Sequence, residues 1–544
     1  MLSYRKLAMR VLGRPLYTGG NDSPRPASQR AAAFILTAAM LTTLAAPAFA
    51  KTWHIEDGDI TVKAGDTKGT NKVSQGESTD VPDTDTVITN REKNASSHTV
   101  TIETNDKNDK VEVTLKDVNI DTGSRNKAAV SVTGEGDTNI KLDGDNALKS
   151  DIYRSGIYGS GSGSLTISGG ENDSLTAQGG SGANGISSSG SLTISGGTVT
   201  ANGDDGGHGI YSRGGVTISG GSTVTANGES GTISGGDGIC SNGGVTISGG
   251  STVTANGGNG GSLVGGDGIR SGGGLTVSDG TVTAKGGNGD SKDGYGGDGI
   301  RSGGVVTISG NTVNAAGGYG GKVGGYGICS FDRVAISGGT VEAAGGNGST
   351  GGGSGIYSSD IDLSGSLELT AKAGSPNGKA LSQAGHELDL DAIKDKLDPG
   401  AKVTVTDADG NVIQQVSIPR PVEPEKPVIP EESSSSSDGG SATPSAPASP
   451  LPGLTVTDKD GQRISYTSTQ GGNTLTVCVG RFTASLRASL SALRQLRAEG
   501  IETITFQTIL CSTTLSVDEL LAMGGEDAEA VLTHRLTDSS LTVG

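Results

Sequence analysis

Aromatic and hydrophobic residues are scarce in this chain of 544 residues, which holds one Trp, five Phe and ten Tyr and is 32% hydrophobic. Soluble globular domains average about 45–50% apolar residues, so the composition argues against a large enzyme with a bulky core. Charged residues make up only 18%, too few for a charge-driven disordered chain. What is left is a repetitive β architecture with a thin core, or a partly disordered array.

Basic charge is also in short supply. The chain has 41 Lys and Arg against 59 Asp and Glu, for a formal net charge of −18 at pH 7. This balance argues against nucleic acid as a partner, because phosphate contacts need a basic surface. It favours cations, and Ca²⁺ in particular takes oxygen ligands.

Glycine is the residue in excess, with 95 copies and no three-residue period of the collagen type. The pair Gly-Ile recurs at intervals of 24 to 31 residues. Each pair is followed by a segment of the Leu-Thr-Ile-Ser type and then by one of the Val-Thr-Ala type. The isoleucines of the pairs are Ile157, Ile186, Ile210, Ile239, Ile269, Ile300, Ile328 and Ile356.

Each repeat thus holds three very short strands. Polar and apolar residues alternate in Leu192-Thr193-Ile194, so Leu192 and Ile194 share one side of the strand. A three-residue strand needs the equivalent strands of neighbouring repeats above and below it, at ~4.8 Å. The repeat therefore predicts an all-β fold, a single-stranded parallel β-helix with three strands per coil and ladders of Ile, Val and Leu inside. A disordered Gly/Ser-rich chain is the alternative.

Composition divides the chain into five parts. A basic segment, an apolar run and Ala48-Phe49-Ala50 predict a signal peptide at 1–50 and hence a secreted or surface-associated protein; a short membrane anchor is the alternative. We expect no later transmembrane segment. The remaining predicted parts are the β-helix at 51–380 (an N-terminal cap and irregular coils at 51–150, glycine-rich repeats at 151–380), a C-terminal cap at 381–417, a Pro/Ser-rich linker at 418–453 and a small α+β domain at 454–544.

Within the C-terminal domain, alternation predicts short strands around Leu454, Ile464 and Leu475 and another at 501–506. Leucines at helical spacing predict a helix over 481–499, and 517–534 is predicted to be mostly helical.

The four cysteines form two pairs, and we expect a disulfide to be possible in only one of them. Cys240 and Cys329 follow equivalent Gly-Ile pairs three repeats apart, about 14 Å along a β-helix, so they should not form a disulfide. Cys478 and Cys511 are candidates for a disulfide in an exported protein. No base adjoins any of the four, which argues against a thiol nucleophile.

The residue before Gly-Ile is an Asp in three consecutive repeats, at Asp237, Asp267 and Asp298. Like charges at ~5 Å repel one another, so a cation would stabilise them, and Asp290 and Asp293 lie in a loop nearby. These five carboxylates are the candidate Ca²⁺ ligands. Alternatively, the aspartates are turn residues that face water.

The residue after Gly-Ile should point away from the core. Tyr faces stack on sugar rings and Arg binds carboxylates of acidic sugars, so this row is the candidate carbohydrate-binding strip. Its members are Tyr158, Tyr211, Arg270, Arg301 and Tyr357. The alternative is an ordinary exposed β surface.

Catalysis has little support. The five histidines are scattered, and no triad or carboxylate pair is visible. The pairs Asp267–Arg270 and Asp298–Arg301 are similar to the acid and base groups of a β-helical lyase, but each recurs as part of a repeat, which favours a structural origin.

The repeats resemble a known family. Ala129–Val132, Ile140–Asn146, Gly156–Tyr158, Leu165–Gly169 and Leu175–Ala177, followed by the recurring Gly-Ile, are similar to the secreted bacterial carbohydrate-binding β-helix proteins described from cellulolytic clostridia. The resemblance covers roughly 97–375. It implies a right-handed, polysaccharide-lyase-like parallel β-helix, polysaccharide binding and Ca²⁺. The family repeats an Asp before Gly-Ile, which Asp237, Asp267 and Asp298 match.

The sequence therefore predicts a secreted or cell-surface β-helix that binds polysaccharide, such as a plant or host glycan, without catalysis. A structural adhesin or stalk of the bacterial surface is the second hypothesis, and a polysaccharide lyase or glycosidase is the third.

Overall fold

A computed structural model describes residues 50–419, 454–458, 462–464, 466–471, 473–479, 483–508, 512–523, 529–534 and 539–543. The chain forms two compact units, Met1–Pro424 and Glu425–Gly544. The predicted signal peptide at 1–50 and linker at 418–453 lie outside the described residues, except for 50, 418 and 419. No helix in the described part of the chain has the length and hydropathy of a transmembrane segment.

The first unit is a parallel β-solenoid of about 13 turns, which confirms the predicted fold class. Each coil contributes one strand to each of three faces. The register is continuous: Ile157 pairs with Ile186 and Ile186 with Ile210, each one coil further along. The spacing of the Gly-Ile pairs therefore gives the correct alignment of the coils.

The first face contains the Gly-Ile strands. Its parallel strands are Ile60–Ala64, Val100–Thr104, Val130–Gly134, Ile157–Gly159, Ile186–Ser188, Ile210–Ser212, Ile239–Ser241, Ile269–Ser271, Ile300–Ser302, Ile328–Ser330, Ile356–Ser358 and Leu381–Gln383. The antiparallel strands Asn71–Gln75 and Ser78–Asp83 extend it at one end, and His386–Glu387 extends it at the other.

The second and third faces are joined into one sheet by the long strands Arg333–Ala344 and Asp360–Lys372. The second face also contains Thr52–His54, Val87–Thr89, Lys110–Lys116, Asp137–Asp143, Leu165–Ser168, Leu192–Ser195, Val216–Ser219, Val245–Ile247, Leu275–Val277 and Val306–Ile308. The third also contains Asn119–Asp121, Asp145–Lys149, Ser174–Gln178, Thr198–Asn202, Thr223–Asn227, Ser251–Asn256, Gly280–Lys285, Thr312–Ala316, Lys402–Thr406 and Val412–Ser417.

The core is one layer of aliphatic side chains from each face. Ile269 of the first face and Leu275 and Val277 of the second are fully buried, whereas Thr276 between them points outward. Burying one such side chain stabilises the fold by about 1.5–3 kcal/mol, and the coils repeat this contribution along the axis. The thin core explains how a chain with so few aromatic residues folds.

Both ends of the solenoid are covered. At the N-terminal end Trp53 is buried and its Nε1 donates to Asp83 Oδ2 at 2.8 Å. At the C-terminal end a 3₁₀ helix, Leu390–Lys396, buries Leu390 and Ile393 against the last coils. The strands Lys402–Thr406 and Val412–Ser417 form an antiparallel hairpin within the predicted C-terminal cap.

The described residues of the second unit form two sheets and two helices, as expected for an α+β domain. One sheet has the strands Leu454–Thr457, Arg463–Ile464, Ala484–Ser489, Glu529–His534 and Ser539–Val543, and the other has Thr467–Gly471, Thr474–Cys478, Thr503–Gln507 and Ser512–Ser516. The helices are Leu490–Ala498 and Val517–Met523.

Two helix predictions in this unit are partly wrong. Within the predicted helix over 481–499, the segment Ala484–Ser489 is a strand, which pairs with Leu454–Thr457 and Glu529–His534. Ser489 is the N-cap of the real helix, because its Oγ accepts the Ala492 N–H at 3.2 Å. The predicted helix over 517–534 ends at Met523, and Glu529–His534 is a strand.

Candidate binding groove

The residues that follow Gly-Ile form one continuous row on the outside of the first face. Strand register aligns Tyr158, Ser187, Tyr211, Cys240, Arg270, Arg301, Cys329 and Tyr357 in that order, one residue per coil. All five predicted carbohydrate-binding residues therefore belong to a single row. We call the six-residue stretch from Tyr211 to Tyr357 the outward row.

Glycine-rich loops that leave the third face stack beside the outward row. Backbone bridges connect Val264 to Tyr295 and Tyr295 to Val323 in consecutive coils. A Cβ at Gly297 would overlap the carbonyl oxygen of Gly266 in the preceding coil, so these loops can stack this closely only with glycine. The stacked loops form a wall along the row.

A groove with a volume of about 760 Å³ lies between this wall and the row. The wall contributes Val264, Tyr295 and Val323, and the row contributes Arg270 and Arg301. The remaining lining residues are Gly206, His208, Ser234, Gly235, Asp237, Gly265, Asp267, Gly296, Asp298, Gly324, Gly325 and Tyr326.

The three aspartates before Gly-Ile are buried at the floor of this groove, with at most 2% of each residue exposed. The interpretation of them as water-facing turn residues is therefore wrong, because the stacked loops cover them. Asp237 Oδ1 accepts the backbone N–H of Asp267, and Asp267 Oδ1 accepts that of Asp298, both at 2.7 Å. Asp298 Oδ1 accepts the N–H of Tyr326 at 2.7 Å.

Other side chains form the equivalent hydrogen bond in the preceding coils. Asn184 Oδ1 accepts the His208 N–H, and His208 Nδ1 accepts the Asp237 N–H, both at 2.8 Å. We call Asn184, His208, Asp237, Asp267 and Asp298 the acceptor ladder. Because Nδ1 of a neutral His208 is the acceptor, its Nε2 carries the proton.

The second carboxylate oxygen of each aspartate faces an arginine. Arg270 Nε donates to Asp267 Oδ2 at 2.9 Å and lies 3.2 Å from Asp237 Oδ2. Arg301 Nε donates to Asp298 Oδ2 at 2.8 Å and lies 3.4 Å from Asp267 Oδ2. Within the described residues both arginines form their hydrogen bonds through Nε, which leaves the Nη atoms for a ligand. Their side chains are 45% and 38% exposed.

Burial dominates the electrostatics of the acceptor ladder. It raises the pKa of the Asp237, Asp267 and Asp298 carboxyls, against the charges of the two arginines, and that of Asp298 to about 7. Burial and the charge of Arg270 lower the pKa of His208 to about 4, so the imidazole is neutral at pH 7.

Pairs of stacked rings lie at both ends of the outward row. His208 stacks on Tyr211 with ring centroids 5.7 Å apart, and Tyr326 stacks on Tyr357 at 4.9 Å. Beside the centre of the row, the exposed ring of Phe331 lies 5.7 Å from the Arg301 guanidinium carbon. The groove thus has guanidinium groups in its middle and aromatic rings at its ends.

The predicted calcium ligands do not fit that ion in this arrangement. Ca²⁺ takes six to eight oxygen ligands. Each ladder aspartate already uses Oδ1 for a backbone N–H, and its Oδ2 lies beside a guanidinium. Asp290 and Asp293 are on the exposed surface of their loop. The arrangement therefore gives no support to a calcium site at these residues.

A second group of donors, His208, Asp237 and Cys240, places one ligand atom of each within 4.8 Å of the others. His208 Nδ1 is occupied by the Asp237 N–H, and Arg270 Nε lies 3.2 Å from Asp237 Oδ2. A cation would meet this guanidinium, so the group is better explained as part of the groove floor.

The cysteines of the solenoid are free thiols at separate positions of the outward row. Cys240 and Cys329 are buried, with Arg270 and Arg301 between them in the register, which confirms that they do not pair. Burial, followed by the charge of the neighbouring aspartate, raises the pKa of each thiol to about 12. Cys478 Sγ donates to Gln507 Oε1 at 3.5 Å. Its predicted disulfide partner, Cys511, lies outside the described residues.

The structure also adds groove residues that the sequence analysis missed. His208 and Tyr326 occupy the position before Gly-Ile, as the aspartates do, and the aromatic rings that flank the three consecutive aspartates at this position were a usable signal. Tyr295 lies in a glycine-rich loop whose stacking the sequence does not reveal. Of the predicted carbohydrate-binding residues, only Arg270 and Arg301 line the groove. Tyr211 and Tyr357 lie just outside the lining and stack on His208 and Tyr326, which belong to it, whereas Tyr158 lies further along the row.

A smaller cavity of about 480 Å³ lies near the N-terminal coils and is lined mainly by polar side chains, including Asn71, Glu112 and Asn139. Its lining contains neither arginine nor aromatic residues, so it lacks the features that distinguish the groove. In comparisons with known proteins, no family model, no curated protein and no solved structure matches the chain.

Proposed function

We propose that the protein binds an acidic polysaccharide in the groove along the outward row and does not cleave it. The observation that carries the proposal is the fixed position of Arg270 and Arg301. The hydrogen bonds from Nε to Asp267 and Asp298 hold both guanidinium groups in place, and the two arginines line the groove with their Nη atoms uncommitted to any described residue. Guanidinium groups bind carboxylates with two parallel hydrogen bonds, so a uronic acid is a suitable ligand.

The shape and the remaining lining support a polymer as the ligand. The groove runs along the coil axis past Arg270 and Arg301, and stacked rings lie near both ends. Aromatic faces bind the apolar faces of sugar rings, and the polar rims supply hydrogen bonds to hydroxyl groups. An extended polymer can contact several coils at once, which a small ligand cannot.

Several contacts argue against a lyase or glycosidase at this site. A lyase needs a basic group whose pKa lies near the working pH, so that the group can accept a proton from the substrate. Burial lowers the pKa of Arg270, but the charges of Asp267 and Asp237 outweigh it and raise the pKa above the usual range. Burial raises the pKa of Asp298 to about 7, but this carboxyl is buried and both its oxygens already accept hydrogen bonds, one from the Tyr326 N–H and one from Arg301 Nε, so it is poorly placed to take a proton from a ligand.

The test is binding of the purified full chain to a panel of immobilised polysaccharides, with neutral polymers such as xylan beside polymers of uronic acids. Each polymer is tested with added Ca²⁺ and with a chelator. We expect saturable binding to uronic-acid polymers in both conditions and no released sugar. Absence of binding to every acidic polymer would overturn the proposal, and release of unsaturated or reducing ends would favour the lyase or glycosidase. Attachment to cells that soluble glycan does not reduce would favour the adhesin or stalk.

A further inference from the structure

The outward row has a mirror-like order of residue types. From one end to the other it reads Tyr211, Cys240, Arg270, Arg301, Cys329 and Tyr357. The large rings are at the ends, the small side chains come next, and the two guanidinium groups are at the centre. Each end is completed by a second ring from the position before Gly-Ile, His208 at one end and Tyr326 at the other.

This order sets a length. Five coil steps separate Tyr211 from Tyr357, which at ~4.8 Å per step is about 24 Å. One sugar unit of an extended polysaccharide covers roughly the length of one coil step. A chain laid along the row would therefore need about six sugar units to reach from the ring pair at one end to the pair at the other.

We infer that the groove and the ring pairs at its two ends form a six-position site that recognises a stretch of acidic polysaccharide by its length. Arg270 and Arg301, which line the groove, hold the central sugars, and Tyr211 and Tyr357, which stack on the lining residues His208 and Tyr326, hold the terminal sugars. This inference rests on the proposed function. It adds the size of the recognised ligand and the roles of the end positions, and it assigns Cys240 and Cys329 to the positions that leave room for a sugar ring.

The described contacts support these roles. Tyr211 and Tyr357 are each held by stacking on one neighbouring ring, at interplanar angles of 18° and 17°, and both keep part of their surface exposed. The thiols of Cys240 and Cys329 are buried, so at these two positions the row does not project into the groove. The Asp237 N–H donates to His208 Nδ1, so the neutral imidazole of His208 carries its proton on Nε2. This Nε2–H is a hydrogen-bond donor near the first end of the groove.

The contribution of each end position can be separated from that of the centre. Tyr158 gives a matched control, because it lies in the same row and is 42% exposed but belongs to a coil beyond the groove. Tyr211 and Tyr357, in contrast, stack on His208 and Tyr326, which line the groove. The residue that pairs with Tyr158 in the next coil of the row is a serine, Ser187. The variants Y211S and Y357S should therefore fold, and Y158S applies the same change outside the site.

The experiment measures the affinity of the full chain for oligogalacturonides of two to eight sugars by titration calorimetry. We expect affinity to rise with each added sugar up to about six and then to level off. Losing one aromatic contact costs about 0.5–1.5 kcal/mol beyond area burial, so Y211S and Y357S should each weaken binding of the hexamer by roughly 2- to 13-fold and leave the trimer unchanged. Y158S should bind like the original protein.

Two results would overturn the inference. One is an affinity that levels off at three sugars or fewer, and the other is equal weakening of hexamer binding by Y158S and Y211S. Either result leaves polysaccharide binding intact as long as polygalacturonate still binds. If neither oligomers nor the polymer bind, the proposed function itself fails.

Discussion

The side chain of Asp267 accepts the backbone N–H of Asp298, the equivalent residue of the next coil, at 2.7 Å. The bond repeats with Asn184 and His208 as acceptors in earlier coils, so a neutral side chain can form it as well as a charged one. The charge of Asp267 is therefore available for another role, which is to hold Arg270 through Oδ2.

A first prediction concerns the dependence of the buried Asp267 carboxylate on Arg270. The change R270S leaves the buried Asp267 carboxylate with only the more distant Arg301, at 3.4 Å, as a charged partner. Leaving a buried polar group unsatisfied costs about 1–3 kcal/mol, so we expect this loss in the free energy of unfolding of the solenoid. Urea unfolding followed by circular dichroism measures it.

The double variant D267N/R270S is the control. It converts Asp-Gly-Ile-Arg into Asn-Gly-Ile-Ser, the sequence already present at 184–187. Asn keeps the acceptor for the Asp298 N–H and removes the charge at position 267, so part of the lost stability should return. The remaining loss belongs to the buried Asp237, whose Oδ2 lies 3.2 Å from Arg270 Nε in the original protein. If the double variant is less stable than R270S, the role assigned to Asp267 is incorrect.

A second prediction concerns pH. Burial, followed by the charge of Asp267, raises the pKa of Asp298 to about 7 against the opposing charge of Arg301. Tyr326 and Cys329 are the other titratable groups near it. The native state thus binds this proton more tightly than the unfolded chain between about pH 4 and 7. The contribution of Asp298 to stability is full below about pH 4 and is lost as the pH rises towards 7.

The comparison of the original protein with D298N isolates this group from all others that titrate. Asn keeps an acceptor for the Tyr326 N–H. Thermal unfolding between pH 5 and 7.5 should show the original protein losing stability relative to D298N as the pH rises. A difference that does not change over this range would contradict the raised pKa.

A third prediction concerns thiol reactivity. Cys240 and Cys329 are 7% and 1% exposed, and burial raises the pKa of both thiols to about 12. Thiolate is the reactive form, so both should resist iodoacetamide in the folded protein at pH 8 and react after unfolding. Peptide mapping by mass spectrometry identifies the labelled sites. Rapid labelling of either cysteine in the native chain would show that the groove floor is open.

A fourth prediction concerns the thin core. Ile269 is fully buried in the first face, and replacing a buried Ile by Ala costs about 2–5 kcal/mol. I269A should therefore lower the unfolding midpoint in urea clearly. The outward-facing Thr276 provides the comparison, because T276A should change stability by no more than about 0.5 kcal/mol. Equal effects of the two changes would contradict the assignment of Ile269 to the core and of Thr276 to the outer surface.

Much of the solenoid follows from the sequence, because its information is local and repeated. The spacing of Gly-Ile gave the alignment of Ile157, Ile186 and Ile210, and the strand alternation gave the inward residues. The same register placed Tyr211, Arg270 and Arg301 in one row. Each of these inferences needs only the side-chain period of a strand and the pairing of equivalent coils.

The burial of the aspartates could not be read in the same way. Whether Asp237, Asp267 and Asp298 face water depends on loops of different length that fold back and stack, which is a long-range property. In the C-terminal unit the error was local: Ala484, Leu486 and Ala488 alternate as in a strand, whereas Leu490, Leu493 and Leu496 recur as in a helix. Ser489 at the boundary was the available sign of a helix start.

The most direct test of the central claim is the affinity of the full chain for polygalacturonate, before and after the arginines are removed. The variant D267N/R270S/D298N/R301S replaces both Asp-Gly-Ile-Arg segments by the natural Asn-Gly-Ile-Ser. The control R333S/D360N makes the same exchange at an exposed pair outside the groove, where Arg333 Nε lies 2.7 Å from Asp360 Oδ2. We predict that the fourfold variant loses at least about tenfold in affinity, since hydrogen bonds to charged groups contribute about 1.5–3 kcal/mol each, and that the control binds normally. Unchanged binding by the folded fourfold variant would contradict the account.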